Sequence, residues 1–120
     1  MITHHHDGHG LNDSIVINCD DRDPKNGNAS HNYAAMIGDE PESLLATFQH
    51  GPRDEKGSKG GITDAALLAV VLDRYEGFQS GDYACRENAI VITKLQEALH
   101  WMKHRADARA ARGVLGKNAK

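Results

Sequence analysis

The 120-residue chain has 39% apolar and 26% charged residues and a net charge of −3 with its histidines neutral. This composition is typical of one soluble globular domain with a modest core, and it excludes a disordered chain. The negative net charge argues against broad binding to nucleic acid polymers. The longest apolar run, AALLAVVL, is too short to span a membrane.

Two features predict where the protein works. The N-terminus lacks the basic and apolar regions of a signal peptide, so we expect a cytoplasmic protein without a membrane partner. Cys19 and Cys85 are too few for a disulfide framework and have no CxxC spacing. Free thiols fit a reducing compartment.

The chain begins with a histidine-rich stretch, THHHDGHG, in which four histidines occur within six residues. Three explanations are open at this point: a purification tag, a metal site completed by His31 or His50, or a glycine-rich loop that closes over a ligand. An aspartate and two glycines interrupt the histidines, which is unusual for a tag. Their spacing is not specific for zinc.

Three short segments predict a small antiparallel β-sheet within residues 1–53. SIVIN is a β-branched run between polar turn residues. ASHNYAAMIG alternates weakly, and SLLATFQ places Leu44, Ala46 and Phe48 on one face, although this last segment could also form a short helix. The loops DDRDPKNGNA and DEPES, which are rich in turn-forming residues, separate the three segments.

A helix is predicted after the charged, glycine-rich segment DEKGSKGG at residues 54–61, which is typical of a linker. Beyond it the period of the apolar residues changes from about two to about 3.6. Thr63 is a suitable N-cap, and Asp64 complements the helix dipole. The apolar residues at helical spacing are Leu68, Val71, Leu72, Tyr75 and Phe78.

A second helix is predicted from Tyr83 to Arg112. The turn before it, QSGD, contains Gly81, which is able to take the left-handed backbone conformation that a helix end often needs. Gly113 is a suitable C-terminal cap. The apolar stripe of this helix consists of Ile92, Leu95, Leu99 and Met102.

The whole chain is predicted to be α+β, with a small antiparallel β-sheet followed by a long helical hairpin over residues 62–116 and a tail over 117–120, packed as one compact domain. At 1.5 Å per residue the two helices are roughly 45 Å and roughly 25 Å long, so the longer one extends beyond its partner. A globule of this chain length is only about 35 Å across. The extension is therefore expected to project or to meet another chain, which predicts a homo-oligomer.

An aromatic ring and an amide are expected close together near the turn of the hairpin. Extending the apolar stripe backwards by four residues leads to Asn88, and Phe78 ends the first helix. Such a pair suits a nucleobase, which needs a stacking surface and a partner for its edge. The alternative is structural, with Phe78 in the core and Asn88 capping a backbone group at the turn.

Basic residues cluster near the end of the second helix, where Lys103, Arg105, Arg109 and Arg112 are opposed only by Asp107. The arginines recur at i, i+4 and i+7 and are expected to share one face, where guanidinium groups would bind phosphate oxygens in pairs. The alternative is a solvated basic face that the helix dipole favours.

Motifs for metal or catalytic chemistry are weak. His100 and His104 have the spacing of helical zinc ligands, but residue 101 is tryptophan and not the glutamate of an HExxH site, so we expect both histidines to be solvent-exposed. The sequence has no GxSxG or phosphate-loop signature, and it supplies no nearby histidine to activate Cys85. We expect no cofactor and no metal.

Four stretches follow one another in the C-terminal half: FQSG, ACRENA, TKLQEALHWM and AARGVLG. On these stretches the chain resembles the Thoeris anti-defence proteins of bacteriophages and their shared cyclic-nucleotide-binding hairpin domain. The resemblance is strongest from Phe48 to Gly116. Upstream, GNASHNY is similar to a segment of that family's N-terminal β domain.

The resemblance implies a binding protein and not an enzyme. Members of this family act in the infected bacterial host cell, where they sequester nucleotide second messengers of immune systems such as Thoeris and CBASS. The chief messenger is glycocyclic ADP-ribose, which is released unaltered on denaturation. Some members also bind cyclic di- or trinucleotides, and members assemble as dimers or hexamers. The implied partners are thus a small cyclic nucleotide and further copies of the chain.

The resemblance also assigns roles to individual residues. The family's stacking aromatic matches Phe78, and its base-contacting amide matches Asn88. Its phosphate-contacting arginines match Arg105 and Arg109, and Arg53 in HGPRDE is a weaker match. These residues include the ring, the amide and the arginines that helical spacing had already selected.

Two positions depart from the family's pattern. Asp82 stands where the family often has proline, and Leu115 stands where it often has an acid, so the ligand preference is expected to differ. In this setting THHHDGHG is interpreted as a mobile, glycine-hinged segment near a pocket or subunit contact, with His9 and Asn12 as donors.

Two other functions stay open. One is a small metal-dependent nucleotide phosphodiesterase that uses the N-terminal histidines. The other is a helical module that binds a protein partner through the basic end of the hairpin.

Overall fold

A computed structural model describes residues 2–41, 43–49 and 60–113 of the chain. The chain divides between Ile62 and Thr63 into a β-rich unit and a helical unit. The prediction of an α+β chain is confirmed, because a three-stranded antiparallel sheet precedes two long helices. Arg53, most of the predicted linker and the tail lie outside the described residues, and the boundaries predicted for the linker and the tail stay predictions.

The N-terminal segment THHHDGHG forms a hydrogen-bonded turn that leads into a short helix, α1 (Leu11–Ser14). Oδ1 of Asp13 accepts hydrogen bonds from the N–H groups of Asp7 and Gly8 at 2.9 and 3.1 Å. The side-chain Nδ2 of Asn12 donates to Oδ2 of Asp7 at 2.9 Å. The segment is therefore held by its own hydrogen bonds, and one of the two N–H groups of the Asn12 amide is used within the turn.

The first unit is built on an antiparallel sheet in the order β1–β2–β3. Its strands are β1 (Ile15–Cys19), β2 (Asn32–Ile37) and β3 (Ser43–Thr47). The segment SLLATFQ is thus a strand and not a helix, since it pairs along β2 with Tyr33 opposite Ala46. Ala46 is 6% exposed and the neighbouring Leu45 is 51% exposed, as period-two alternation requires.

The connection between β1 and β2 is held by the carboxylate of Asp20. Its Oδ1 accepts hydrogen bonds from the N–H groups of His31 and Asn32 at 2.9 and 3.2 Å, and its Oδ2 accepts one from Nδ2 of Asn32 at 2.7 Å. These bonds, the one from His31 first, favour the ionised carboxylate and lower the pKa of Asp20 to about 2. The loop predicted from DDRDPKNGNA is therefore tied to the start of β2.

The sheet unit ends in a close backbone approach around Gly61. The N–H of Ile62 donates to the carbonyl oxygen of Thr47 at 2.9 Å, and the N–H of Gln49 donates to the carbonyl oxygen of Ile62 at 3.0 Å. A Cβ atom on Gly61 would lie 2.5 Å from the carbonyl carbon of Phe48 and 2.5 Å from the carbonyl oxygen of Thr47. Only glycine fits there, because backbone meets backbone.

The second unit is a hairpin of two helices, as predicted. The helices are α2 (Asp64–Gln79) and α3 (Arg86–Ala111). Thr63 is the N-cap of α2, since its Oγ1 accepts a hydrogen bond from the N–H of Ala66 at 3.1 Å. Gly113 follows α3 with a φ of 73°, the left-handed conformation predicted for a C-terminal cap.

The start of α3 differs from the prediction. The helix begins at Arg86 and not at Tyr83, because Cys85 is the N-cap and its Sγ accepts a hydrogen bond from the N–H of Asn88 at 3.4 Å. The side chain of Gln79 joins the end of α2 to this cap. Its Nε2 donates to the carbonyl oxygen of Cys85 and its Oε1 accepts from the N–H of Cys85, both at 3.0 Å.

Gly81 does not use the left-handed conformation that is open to glycine, since its φ is not positive. The chain leaves α2 through right-handed turns instead. The N–H of Ser80 donates to the carbonyl oxygen of Glu76 at 3.1 Å, and the N–H of Gly81 donates to that of Phe78 at 3.3 Å. The helix end is closed by these bonds, so a left-handed residue is unnecessary.

The helices pack through apolar faces that are half-buried. These residues are Leu67, Leu68, Val71, Leu72 and Tyr75 in α2, and Val91, Ile92, Leu95, Ala98 and Leu99 in α3. Met102, the last residue of the predicted stripe, is 36% exposed, because α2 has 16 residues against the 26 of α3. Neither helix, nor any other in the described part of the chain, is long and apolar enough to cross a membrane.

Candidate functional site

Phe78 lies in the last turn of α2, at the turn end of the hairpin, and is 37% exposed. Its ring has two nearly perpendicular aromatic neighbours, with centroid distances of 5.8 Å to Tyr75 and 6.4 Å to Tyr83. The ring is therefore held in place by packing but still offers surface to solvent. This combination suits a stacking platform for a flat ligand.

Asn88 is half-buried in the first turn of α3. Its Nδ2 donates to the carbonyl oxygen of Tyr83 at 2.9 Å, which is the structural role that the sequence left open as an alternative. Because the carbonyl is an acceptor, the NH₂ group must face it. The Oδ1 atom receives no hydrogen bond from the described residues, so the amide can hold the turn and still offer an acceptor to a base edge.

The predicted arginines lie near the opposite end of α3 and differ in exposure. Arg109 is 9% exposed. It lies on the same side of the helix as the half-buried residues Asn88, Leu99 and Ala106. Arg105 and Arg112 are exposed. The three arginines therefore differ in exposure, and Arg105 and Arg112, which are seven residues or two turns apart, are the exposed ones.

The one acid in this basic region pairs with a lysine. Oδ2 of Asp107 pairs with Nζ of Lys103 at 2.7 Å, an exposed i, i+4 ion pair on α3. The guanidinium of Arg105 is thus left with its positive charge exposed at this end of the helix. An anion is the ligand that such a charge attracts.

The structure brings Phe78 and Asn88 together but does not bring them to the arginines. Phe78 and Asn88 both contact Tyr83 at the turn. Along α3, 17 positions separate Asn88 from Arg105, or roughly 26 Å at 1.5 Å per residue. One hairpin therefore cannot close both groups on one small ligand.

The comparison with protein families decides what kind of domain this is. Residues 40–106, more than half of the chain, match the family model described as the Acb2/Tad1 hairpin domain. The chain belongs to the Acb2/Tad1 hairpin family. The resemblance drawn from the sequence is confirmed, and the matched range includes Phe78, Asn88 and Arg105 but ends before Arg109.

A curated relative of this Acb2/Tad1 family member is Thoeris anti-defense 1 of Bacillus phage SBSphiJ7. The two chains are 46% identical over 78 residues, which is 63% of this chain and 54% of the relative. The chain thus spans about half the length of the curated relative that it matches.

In this member of the Acb2/Tad1 hairpin family, the turn end holds two further residues that the sequence analysis did not select. The guanidinium carbon of Arg74 lies 5.4 Å from the centroid of the Phe78 ring, a cation–π contact. Tyr83 is 77% exposed and borders the same ring. The i, i+4 spacing of Arg74 and Phe78 in α2 was the available signal for the first residue.

The remaining candidates for metal chemistry do not form a cluster. Within residues 2–41, 43–49 and 60–113, no group of three or more His, Cys, Asp or Glu side chains is arranged to hold a metal ion. His100 and His104 are exposed, as predicted, and each packs its ring against Trp101 at 5.5 and 5.4 Å. The features that point to a ligand are therefore those at the two ends of the hairpin.

Proposed function

We propose that this member of the Acb2/Tad1 hairpin family is a phage anti-defence protein that binds a nucleotide signal of bacterial immunity and holds it unaltered. The proposed ligand is glycocyclic ADP-ribose, or a cyclic di- or trinucleotide. The name of the relative from the Bacillus phage supports the anti-defence role. The observation that carries the proposal is the pairing of an exposed ring, Phe78, with an amide acceptor, Asn88, at one end of a helix whose other end is rich in arginine.

A complete site is proposed to need two chains. Phe78 and Asn88 lie too far from Arg105 and Arg109 in one chain, as the roughly 26 Å along α3 indicates. In a twofold dimer with antiparallel α3 helices, the turn end of one chain lies beside the arginine end of the other, which gives two identical sites. The length of α3 supports this arrangement, since it exceeds α2 by ten residues, or about 15 Å.

The proposed function requires affinity and no catalytic group. A sequestering protein lowers the free signal only if its concentration exceeds that of the signal and its dissociation constant lies below the threshold of the immune effector. A submicromolar constant corresponds to about 8 kcal/mol or more. Stacking on Phe78 and charge-assisted hydrogen bonds between arginines and phosphates are interactions of the right kind and size.

The experiment that tests the proposal is retention followed by release. The purified protein is mixed with glycocyclic ADP-ribose and a panel of cyclic di- and trinucleotides, with and without a metal chelator, and is then filtered. The retained protein is heat-denatured, and both fractions are analysed by chromatography and mass spectrometry. We expect one compound to disappear from the filtrate and to return with its mass unchanged, whether or not chelator is present.

Two other outcomes would overturn the proposal. A returned compound of altered mass, formed only without chelator, would indicate a metal-dependent phosphodiesterase. If no compound is retained at a protein concentration well above that of the nucleotide, a protein partner becomes the better hypothesis.

A further inference from the structure

We infer that Tyr83 is the second aromatic face of the proposed base site, and that its ring turns to cover a purine base stacked on Phe78. This inference rests on the proposed function and assigns a further ligand-contacting residue to it. It would make the turn between the helices a two-sided clamp and not a flat platform.

The two rings lie next to each other in an edge-to-face contact. Their centroids are 6.4 Å apart and their planes are at 89°. A flat ring in contact with another lies about 3.5 Å from it, so a base between two parallel rings needs about 7 Å. The Tyr83 side chain therefore has to swing outward and turn parallel to the Phe78 ring before a base can enter, and its exposure of 77% leaves it room to do so.

The side chain of Tyr83 is open to solvent whereas its backbone is tied down. The residue is 77% exposed. Its carbonyl oxygen accepts the hydrogen bond from Asn88, and the flanking turn is closed by the two bonds between Gln79 and Cys85. The ring can therefore move about its own torsions without refolding of the turn. A tyrosine loses little conformational entropy in such a contact, because it has only two χ angles.

The same hydrogen bond orients the edge of the site. Because the NH₂ group of Asn88 faces the carbonyl of Tyr83, its Oδ1 is the atom left for a ligand. An acceptor at this position selects a base edge that presents a donor, such as the exocyclic amine of adenine. The amide that reads the edge and the ring that covers the face are thus fixed to each other.

The positive charge of Arg74, which contacts the Phe78 ring, adds to the proposed clamp. The guanidinium of Arg74 lies over the ring of Phe78 at 5.4 Å. Guanidinium and aromatic groups attract each other, so this contact holds the ring on which the base is proposed to stack and places a positive charge beside it.

The test compares Tyr83→Ala and Tyr83→Phe with the unchanged protein by isothermal titration calorimetry. The probes are glycocyclic ADP-ribose and cyclic di-AMP, which both carry adenine. We expect Tyr83→Ala to weaken binding at least about tenfold, since one base–aromatic stack supplies an effect of that size. Tyr83→Phe keeps the ring and is expected to bind within about threefold of the unchanged protein.

Matched controls separate the possible failures. Val70→Ala removes an exposed apolar side chain two turns earlier in α2 and is expected to bind normally. Circular dichroism melting is expected to be the same for the two Tyr83 variants and the unchanged protein, because Tyr83 buries little surface. If Phe78→Ala loses binding while Tyr83→Ala binds like the unchanged protein, the clamp is wrong and the proposed function stands. If the unchanged protein binds neither probe, the clamp and the adenine-nucleotide function are both wrong.

Discussion

At the residue scale, Phe78 is the side chain on which the proposed nucleotide binding is expected to depend most. Phe78→Ala is expected to weaken binding of the retained nucleotide at least about tenfold, because stacking of one base on an aromatic ring contributes about 1–3 kcal/mol. The measurement is isothermal titration calorimetry, with Val70→Ala as the control from the same helix. Unchanged affinity in Phe78→Ala, with an intact circular dichroism spectrum, would remove the ring from the site.

The lowered pKa of Asp20 predicts how the stability of the β-rich unit depends on pH. Its pKa in the folded protein is about 2, below the ordinary value of 3.8, because N–H groups at the start of β2 bind the carboxylate. The stabilisation of the folded state by the ionised Asp20 carboxylate is complete above the ordinary pKa. It is lost as the pH falls through the pKa of the folded protein.

The measurement for Asp20 is the melting temperature of the unchanged protein and of Asp20→Asn across this pH range. We expect the unchanged protein to be more stable at about pH 5 and the difference to shrink towards about pH 2. Asn at this position keeps the size of the side chain but does not titrate. A difference that stays constant over the range would show that ionisation of Asp20 does not contribute.

The candidate residues differ in how far the sequence could reveal them. Phe78 and Asn88 follow from helical spacing. The apolar residues of α2 recur up to Phe78, and the apolar stripe of α3, extended backwards by four residues, reaches Asn88. Arg109 lies on the buried side of α3, whereas the sequence pattern had selected it as one of three arginines on a shared face. Tyr83 could not be selected in this way, since its role depends on a turn whose hydrogen bonds are made by side chains. Arg53 lies outside the described residues, so its match stays a prediction.

At the element scale, the helices were predictable because their signals are local. Thr63 caps α2 and Gly113 follows α3 as predicted, since each acts on its own helix end. The start of α3 was missed because a cysteine thiol is a weak acceptor and not an expected cap. The choice between strand and helix for β3 needed the pairing with β2, which is a contact distant in sequence.

Gly61 gives a prediction for the end of the β-rich unit. Gly61→Ala is expected to lower the free energy of unfolding by about 1–3 kcal/mol. The new Cβ would overlap backbone atoms, and these cannot move aside by a change of side-chain rotamer. Gly60→Ala is the matched control, since a Cβ there meets no atom within 4 Å. Urea unfolding measures both, and equal stability of the two variants would contradict the close approach.

At the scale of the whole molecule, the main feature is the distance between the turn end, with Phe78 and Asn88, and the arginine end of α3, because it leads to the proposal of a site shared by two chains. The groups proposed to bind a base lie at the turn end, and the arginines proposed to bind phosphates lie at the other end of α3. The sequence predicted the unequal lengths of the helices, since these follow from the apolar stripes and caps. The number of chains in the assembly stays a prediction, because it depends on surfaces that complement each other between copies.

The measurement that tests a site shared between two chains most directly is nucleotide binding by mixed oligomers of two defective variants. Phe78→Ala chains lack the stacking ring, and Arg105→Ala chains lack an exposed phosphate-binding group, so each variant alone is expected to retain little nucleotide. When the two are co-expressed and pair at random, half of the dimers combine one chain of each kind, and each mixed dimer has one intact site. Recovery of about a quarter of the normal number of sites is therefore predicted. No recovery in a mixture of folded, dimeric variants would contradict the shared site.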